Sequence, residues 1–166
     1  MFQEAIAQYL KQNHYESIQL KSVLFDMDGV LFDSMPYHAE AWHKTMKAHG
    51  LNLSREEAYM HEGRTGAGTI NIVCQRQLGR DATQEEIESI YLEKSIEFNK
   101  HPQAERMPGA WELLQKIKTE GIIPTVVTGS GQASLLDRLE HNFPGMFRQE
   151  LMVTAFDVKY GKPNPE

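Results

Sequence analysis

Several features are scarce or missing in this 166-residue sequence, and each absence closes a direction. There is one cysteine, Cys74, so an internal disulfide is impossible, and a single thiol is what a reducing compartment leads one to expect. Basic residues are outnumbered, 17 against 23 acidic ones, for a formal charge of -6. A chain of that balance lacks the cationic surface that displaces counterions from nucleic acid, so no nucleic-acid partner is expected. No apolar run approaches membrane-spanning length, and the N-terminus lacks the continuous apolar segment of a signal peptide. The expectation is a cytoplasmic, soluble protein. At the N-terminus, Phe2, Ile6, Tyr9 and Leu10 recur at helical spacing, which predicts a short amphipathic helix packed on the outside of the core.

What the sequence does contain is concentrated in V-L-F-D-M-D-G-V-L-F-D-S, residues 23 to 34. Val23-Leu24-Phe25 reads as a buried strand running straight into Asp26, Asp28 and Gly29. Two carboxylates crowded at an apolar strand tip are costly unless something pairs with them. A calcium loop fits poorly, because Val30 stands where the next oxygen ligand belongs and Gly29 comes too early.

The pattern then becomes all-helical from 36 to 104. Pro36 to His49 reads as a helix stopped by Gly50. Ser54 with Glu57 and Thr83 with Glu86 read as capping boxes, the second opening a long helix through Asn99. Between them E-G-R-T-G-A-G, residues 62 to 68, is too glycine-rich for a helix interior, and Thr69 to Leu78 is helical. After His101-Pro102 the alternating pattern resumes. Pro108 is placed to begin a helix and Gly121 to end it. I-I-P-T-V-V-T (122 to 128) is a parallel-strand candidate, a helix is expected over about 132 to 142, and Leu151-Met152-Val153 is a third strand candidate. The fold class expected is α/β, a parallel-sheet core with a helical insertion after its first strand. Its parts are an N-terminal helix and lead-in (1–21), a core (22–35 and 105–166) and a helical cap (36–104).

In open parallel sheets ligands gather beyond the carboxyl ends of the strands. Asp26 and Asp28 end the first strand, Thr128 ends the second, and Lys162 follows the third. A nucleophilic carboxylate, a second carboxylate able to trade a proton, a hydroxyl and a cation suit phosphoryl transfer. Asp26 and a phosphate repel each other, so Mg2+, which takes oxygen ligands from both, is the expected cofactor.

D-M-D-G-V-L-F-D-S, V-V-T-G-S and G-K-P-N-P-E together resemble the haloacid dehalogenase superfamily, nearest its β-phosphoglucomutase-like branch with a helical cap. The resemblance implies that Asp26 is the nucleophile that becomes phosphorylated, and that Asp28 is the general acid/base whose main-chain carbonyl also binds the metal. It implies that Lys162 balances charge, and that Thr128, Gly129 and Ser130 meet the phosphate. His38 matches a histidine at the cap–core junction that steers Asp28. Trp42 reads as core, Asp33 as a tether at the Asp33-Ser34 hinge, and Cys74 as a buried thiol. The family's last acidic motif lies beyond Glu166, so the resemblance implies an N-terminal portion of a longer enzyme, impaired alone; a non-enzymatic binding remnant is the contrasting reading. Dehalogenation is disfavoured, since it has no leaving oxygen for Asp28 to protonate.

The cap loop departs from the mutase pattern. Its phosphate-gripping arginine corresponds to Gly66, with Arg64 two residues earlier, and Gly131 stands where the core turn often carries a basic residue. Glu62 either reaches the metal, pairs with Arg64 or stays solvated. H-E-G-R-T-G also resembles a subgroup associated with inorganic pyrophosphate hydrolysis. The expectation is a monomeric hydrolase of a small phosphorylated substrate, pyrophosphate first, with β-phosphoglucomutase or sugar-phosphate phosphatase activity as the alternative. Arg64 is a substrate contact, and Asp26, Asp28 and Glu62 are the metal set.

Overall fold

The computed structural model describes residues 2–131 and 135–165. Ser22–Phe25 (β1) and Ile123–Val126 (β2) pair in parallel, Ser22 opposite Ile123 and Phe25 opposite Val126. On the other side of β2, Val153 forms an isolated parallel bridge with Val127. The expected third strand is thus reduced to one residue among those described. Gln149–Leu151 forms a 3-10 turn instead, because the amides of Leu151 and Met152 bond back to Arg148 and Gln149.

Apolar side chains form two separate cores. Phe25, Met27, Phe32, Leu114, Leu139 and Phe143 build the first, around the sheet. Met46, Leu53, Ile70, Val73, Cys74 and Ile90 build the second, inside the helical segment. Burying each such side chain contributes about 1.5–3 kcal/mol, so each unit has its own source of stability. Cys74 is 1% exposed, as its apolar neighbours suggest.

The helical segment comprises Met35–Ala48 (α2), Arg55–Met60 (α3), Gly66–Leu78 (α4) and Gln84–Asn99 (α5). Thr83 and Glu86 form the expected reciprocal capping box. The Ser54 box is half made: Ser54 Oγ accepts from the Glu57 amide, but the Glu57 carboxylate turns to Arg76 instead. The glycine-rich loop is shorter than the sequence suggests. Gly66, Ala67 and Gly68 form the first turn of α4, because Thr65 Oγ1 accepts from the Gly68 amide and caps it.

Ala110–Thr119 (α6) starts two residues after Pro108, with Gly109 at φ +82° as its cap. Leu135–Asn142 (α7) follows β2; the expected start of that helix at Gln132 lies outside the described residues. Phe2–Asn13 (α1) is helical as its spacing predicts, but it does not pack on the core. None of its residues is buried, and Phe2 is 83% exposed. The helix ends at His14, whose φ is +56°, and residues 15–21 after it are all exposed. No helix among the described residues is long and apolar enough to cross a membrane.

Candidate active site

The first strand delivers Asp26 at its end. The Met27 amide donates to Asp26 Oδ1 at 2.9 Å, fixing the carboxylate. Beyond it the chain folds back sharply, with the amides of Leu31 and Phe32 both donating to the Met27 carbonyl. Gly29, at φ +76°, makes that turn, and a Cβ there would lie 3.0 Å from Met35 Cγ. The turn directs Asp28 inward, where it is 5% exposed.

Lys162 arrives from the third segment. Its Nζ lies 2.9 Å from Asp26 Oδ1 and donates to the Val127 carbonyl at 3.2 Å, so it bridges the ends of both strands. Thr128 is buried at the end of β2, and its Oγ1 accepts from the Ser130 amide at 3.1 Å. Of the four groups expected at the carboxyl ends of the strands, Lys162 meets Asp26, while Asp28 lines one cavity and Thr128 and Lys162 a neighbouring one.

Asp28 is gripped from α2. Ser34 Oγ donates to its Oδ1 at 2.5 Å, and His38 Nε2 lies 3.1 Å from the same oxygen in an off-axis contact that leaves the ring nitrogen poorly satisfied. Burial pushes the Asp28 pKa up, but His38, Ser34 and the Arg138 charge outweigh it and hold it at about 2. Burial and the Lys94 ammonium push the His38 pKa down. His38 is thus neutral near pH 7 and acts on Asp28 through its N–H rather than as a cation. Asp33, the expected hinge tether, is exposed and contributes its main chain, its amide donating to Glu105.

Lys94 is the residue that sequence reasoning missed. It is 3% exposed, its Nζ is 2.8 Å from His38 Nδ1, and the rings of Trp42 and Phe98 lie 5.4 and 5.0 Å away. Burial lowers its pKa to about 8. The signal was available: in α5 a lysine occupies the stripe of Ile90, Tyr91 and Phe98, where helical periodicity calls for an apolar residue. Trp42, read as core, is half-buried; it packs on the second core and also lines the site.

Asp28, His38, Glu62, Arg64, Lys94 and Ser130 surround a cavity of about 40 Å³. Thr128, Gly129 and Lys162 line a neighbouring one of about 210 Å³. Glu62 is an exposed residue, yet partial desolvation of its carboxyl and the charges of Asp28 and Asp26 push its pKa up. The Asp26 carboxylate at the end of β1 is the kind of donor that suits Mg2+, an ion commonly held by one or two carboxylates with water and substrate phosphate. The full set expected for the metal is not gathered: among the described residues no three His, Cys, Asp or Glu side chains converge to hold an ion. Position 66, where a mutase arginine would stand, is filled from α5; a Cβ there would lie 2.3 Å from Tyr91 Cδ2.

The family model for haloacid dehalogenase-like hydrolases matches residues 20–166. The chain belongs to this family. Hexitol phosphatase A of Escherichia coli is 32% identical over 149 residues, which cover 90% of this chain and 66% of that protein. A phosphorylated carbohydrates phosphatase of Thermotoga maritima is 27% identical, covering 89% and 67%. Pyrophosphatase PpaX of Oceanobacillus iheyensis is 25% identical, covering 90% and 66%. Among solved structures, a Bacteroides vulgatus protein provisionally described as a beta-phosphoglucomutase is 72% identical with TM-score 0.93, covering 99% of this chain and 66% of that one. The chain thus spans 66% of the length of the hexitol phosphatase and of the Bacteroides protein. Two of these relatives are thus named for phosphorylated polyols or carbohydrates and one for pyrophosphate.

Proposed function

We propose that the protein is a Mg2+-dependent phosphatase of small sugar or polyol phosphates, working through an aspartyl-phosphate. The observation that carries the reading is the Lys162–Asp26 contact at 2.9 Å beside an Asp28 held at 2.5 Å by Ser34. Asp26 and the Asp28 carbonyl would hold magnesium, which when bound offsets the charge repulsion between phosphate and carboxylate. Asp26 attacks phosphorus, the bond to the leaving oxygen breaks, and that oxygen takes a proton from Asp28. Water then attacks the acyl phosphate and gives its proton to Asp28, freeing the Asp26 carboxylate and phosphate. The resting Asp28 carboxylate, with its pKa of about 2, suits the second half. In the first half it must carry a proton, and the negative charge of the arriving phosphate raises its affinity for one. Lys162 compensates charge on Asp26, and the Thr128–Ser130 turn meets the phosphate. Helices α2–α5 act as a cap bearing Glu62, Arg64 and Lys94.

Inorganic pyrophosphate is a second reading, favoured by Tyr91 filling the space beside Gly66 and by Glu62 close to both aspartates. A cap that crowded leaves little room for a sugar. The test is kcat/KM across hexitol phosphates, hexose 1- and 6-phosphates and pyrophosphate. The first reading requires a sugar or polyol phosphate to lead, and pyrophosphate leading by tenfold or more would transfer the assignment.

A further inference from the structure

Three glycines line the contact between the cap loop 63–65 and the core loops beneath it. A Cβ on Gly129 would lie 2.8 Å from the carbonyl oxygens of both Gly63 and Arg64. A Cβ on Gly161 would lie 2.6 Å from the Thr65 amide nitrogen and 2.9 Å from Thr65 Cγ2. Both values are inside van der Waals contact, and the obstructing atoms are mostly main chain, which cannot rotate aside. Neither Gly129 nor Gly161 has the positive φ that would call for glycine on backbone grounds. Their missing side chains are therefore explained by close approach alone. On the cap side, a Cβ on Gly63 would lie 3.2 Å from Lys162 Cε, so the loop rests on the stem of the lysine that meets Asp26.

We propose that Gly129 and Gly161 are positioning residues: they let the cap loop seat main chain to main chain on the core, and this closed seat clamps Lys162 over Asp26 while bringing Glu62 and Arg64 to Asp28. The inference rests on the phosphatase reading for its catalytic consequence, but the seat itself is geometric. The local cores of cap and sheet are built from other residues, so an added methyl group at either glycine perturbs closure and not folding. A misplacement of about 1 Å at a site of this kind can cost on the order of 100-fold in rate.

The test uses Gly161→Ala and Gly129→Ala, with Gly131→Ala as control, since a Cβ at Gly131 meets only Phe156 and Ala155 side chains at ordinary distances of 3.5 Å and beyond. Spin labels on Ser89→Cys in the cap and Glu112→Cys in the core, both exposed, report cap–core distance by double electron–electron resonance; buried Cys74 stays unlabelled. Gly161→Ala and Gly129→Ala are expected to lengthen and broaden that distance, with melting midpoints close to wild type and kcat/KM reduced at least tenfold. Gly131→Ala is expected to match wild type in all three. Distance distributions in Gly161→Ala and Gly129→Ala that overlay the wild type overturn the proposal, as does loss of folding in either, which would make the seam part of the structural core. If wild type hydrolyses no phosphate compound, the phosphatase reading fails while the distance measurement still decides the seat.

Discussion

Lys94 Nζ lies 2.8 Å from His38 Nδ1, and the opposite nitrogen of the same ring faces Asp28 Oδ1 at 3.1 Å. An ammonium can only donate, so Nδ1 must accept and the ring proton sits on Nε2, on the side of Asp28 though off the axis of a good hydrogen bond. A cap helix, the hinge helix and the strand-end loop are thereby joined through one imidazole.

This chain sets a pH dependence. Lys94 in the folded protein loses its proton near pH 8, whereas the unfolded chain holds it to about 10.4. Between those values the unfolded state binds more protons, so this group makes stability rise with pH, by on the order of 1 kcal/mol per unit. Because the Lys94 cation fixes the tautomer of the His38 ring beside Asp28, activity should instead fall as pH rises through about 8. Urea unfolding of wild type and Lys94→Met from pH 7 to 10 checks the first: only wild type should carry the rise, and parallel curves would refute it. For activity, Lys94→Arg should push the basic limb upward.

At acid pH, the buried Asp28 contributes. Its folded pKa of about 2 lies below the ordinary 3.8, so its stabilisation is fully present above pH 4 and is lost as pH falls through 2. Ser34→Ala removes a hydrogen bond to a buried carboxylate and should cost about 1.5–3 kcal/mol at pH 7. The deficit should shrink toward pH 2, measured by guanidinium unfolding at both pH values. An equal deficit at both would show that Ser34 acts through packing.

For the chemistry, Asp26→Asn should abolish phosphate release while the melting curve stays near wild type, because an amide is a far poorer nucleophile than a carboxylate. Asp28→Asn should reduce turnover by about 10² to 10⁴. Chelation should remove activity and added Mg2+ restore it. Phosphate release by Asp26→Asn near the wild-type rate, or activity that survives chelation, contradicts the mechanism.

Substrate choice should respond to the cap. If Glu62 fills room above the aspartates, Glu62→Ala should relax exclusion of larger phosphoesters, raising kcat/KM for sugar phosphates relative to pyrophosphate by several-fold or more. A ratio unchanged within about twofold assigns Glu62 to solvent. Gly66→Arg should fail to create a mutase, since Tyr91 occupies the space.

Much of this was readable from the chain because strand ends and chemistry coincide: V-L-F-D-M-D-G states a strand and its charged tip together, although the strand expected to be buried is so only at Phe25, with Leu24 67% exposed, and the structure brings Lys162 to Asp26 across a separation of 136 positions, as the motif order implies. What escaped was three-dimensional. Lys94 belongs to a helix whose sequence shows no catalytic motif, and its importance comes from packing against His38, 56 residues away. The start of α4 was misjudged because Thr65 supplies a cap that offsets the glycines after it. The exposure of α1 depends on what lies against it in three dimensions, which periodicity does not record.

The two separate hydrophobic cores have a consequence for how this scaffold can change. Cap and core stability are set by non-overlapping side chains, so their substitutions should combine additively. The cap can therefore be remodelled toward a new leaving group, and its losses repaired within its own core, while the residues around Asp26 stay untouched: thermodynamic modularity inside one chain.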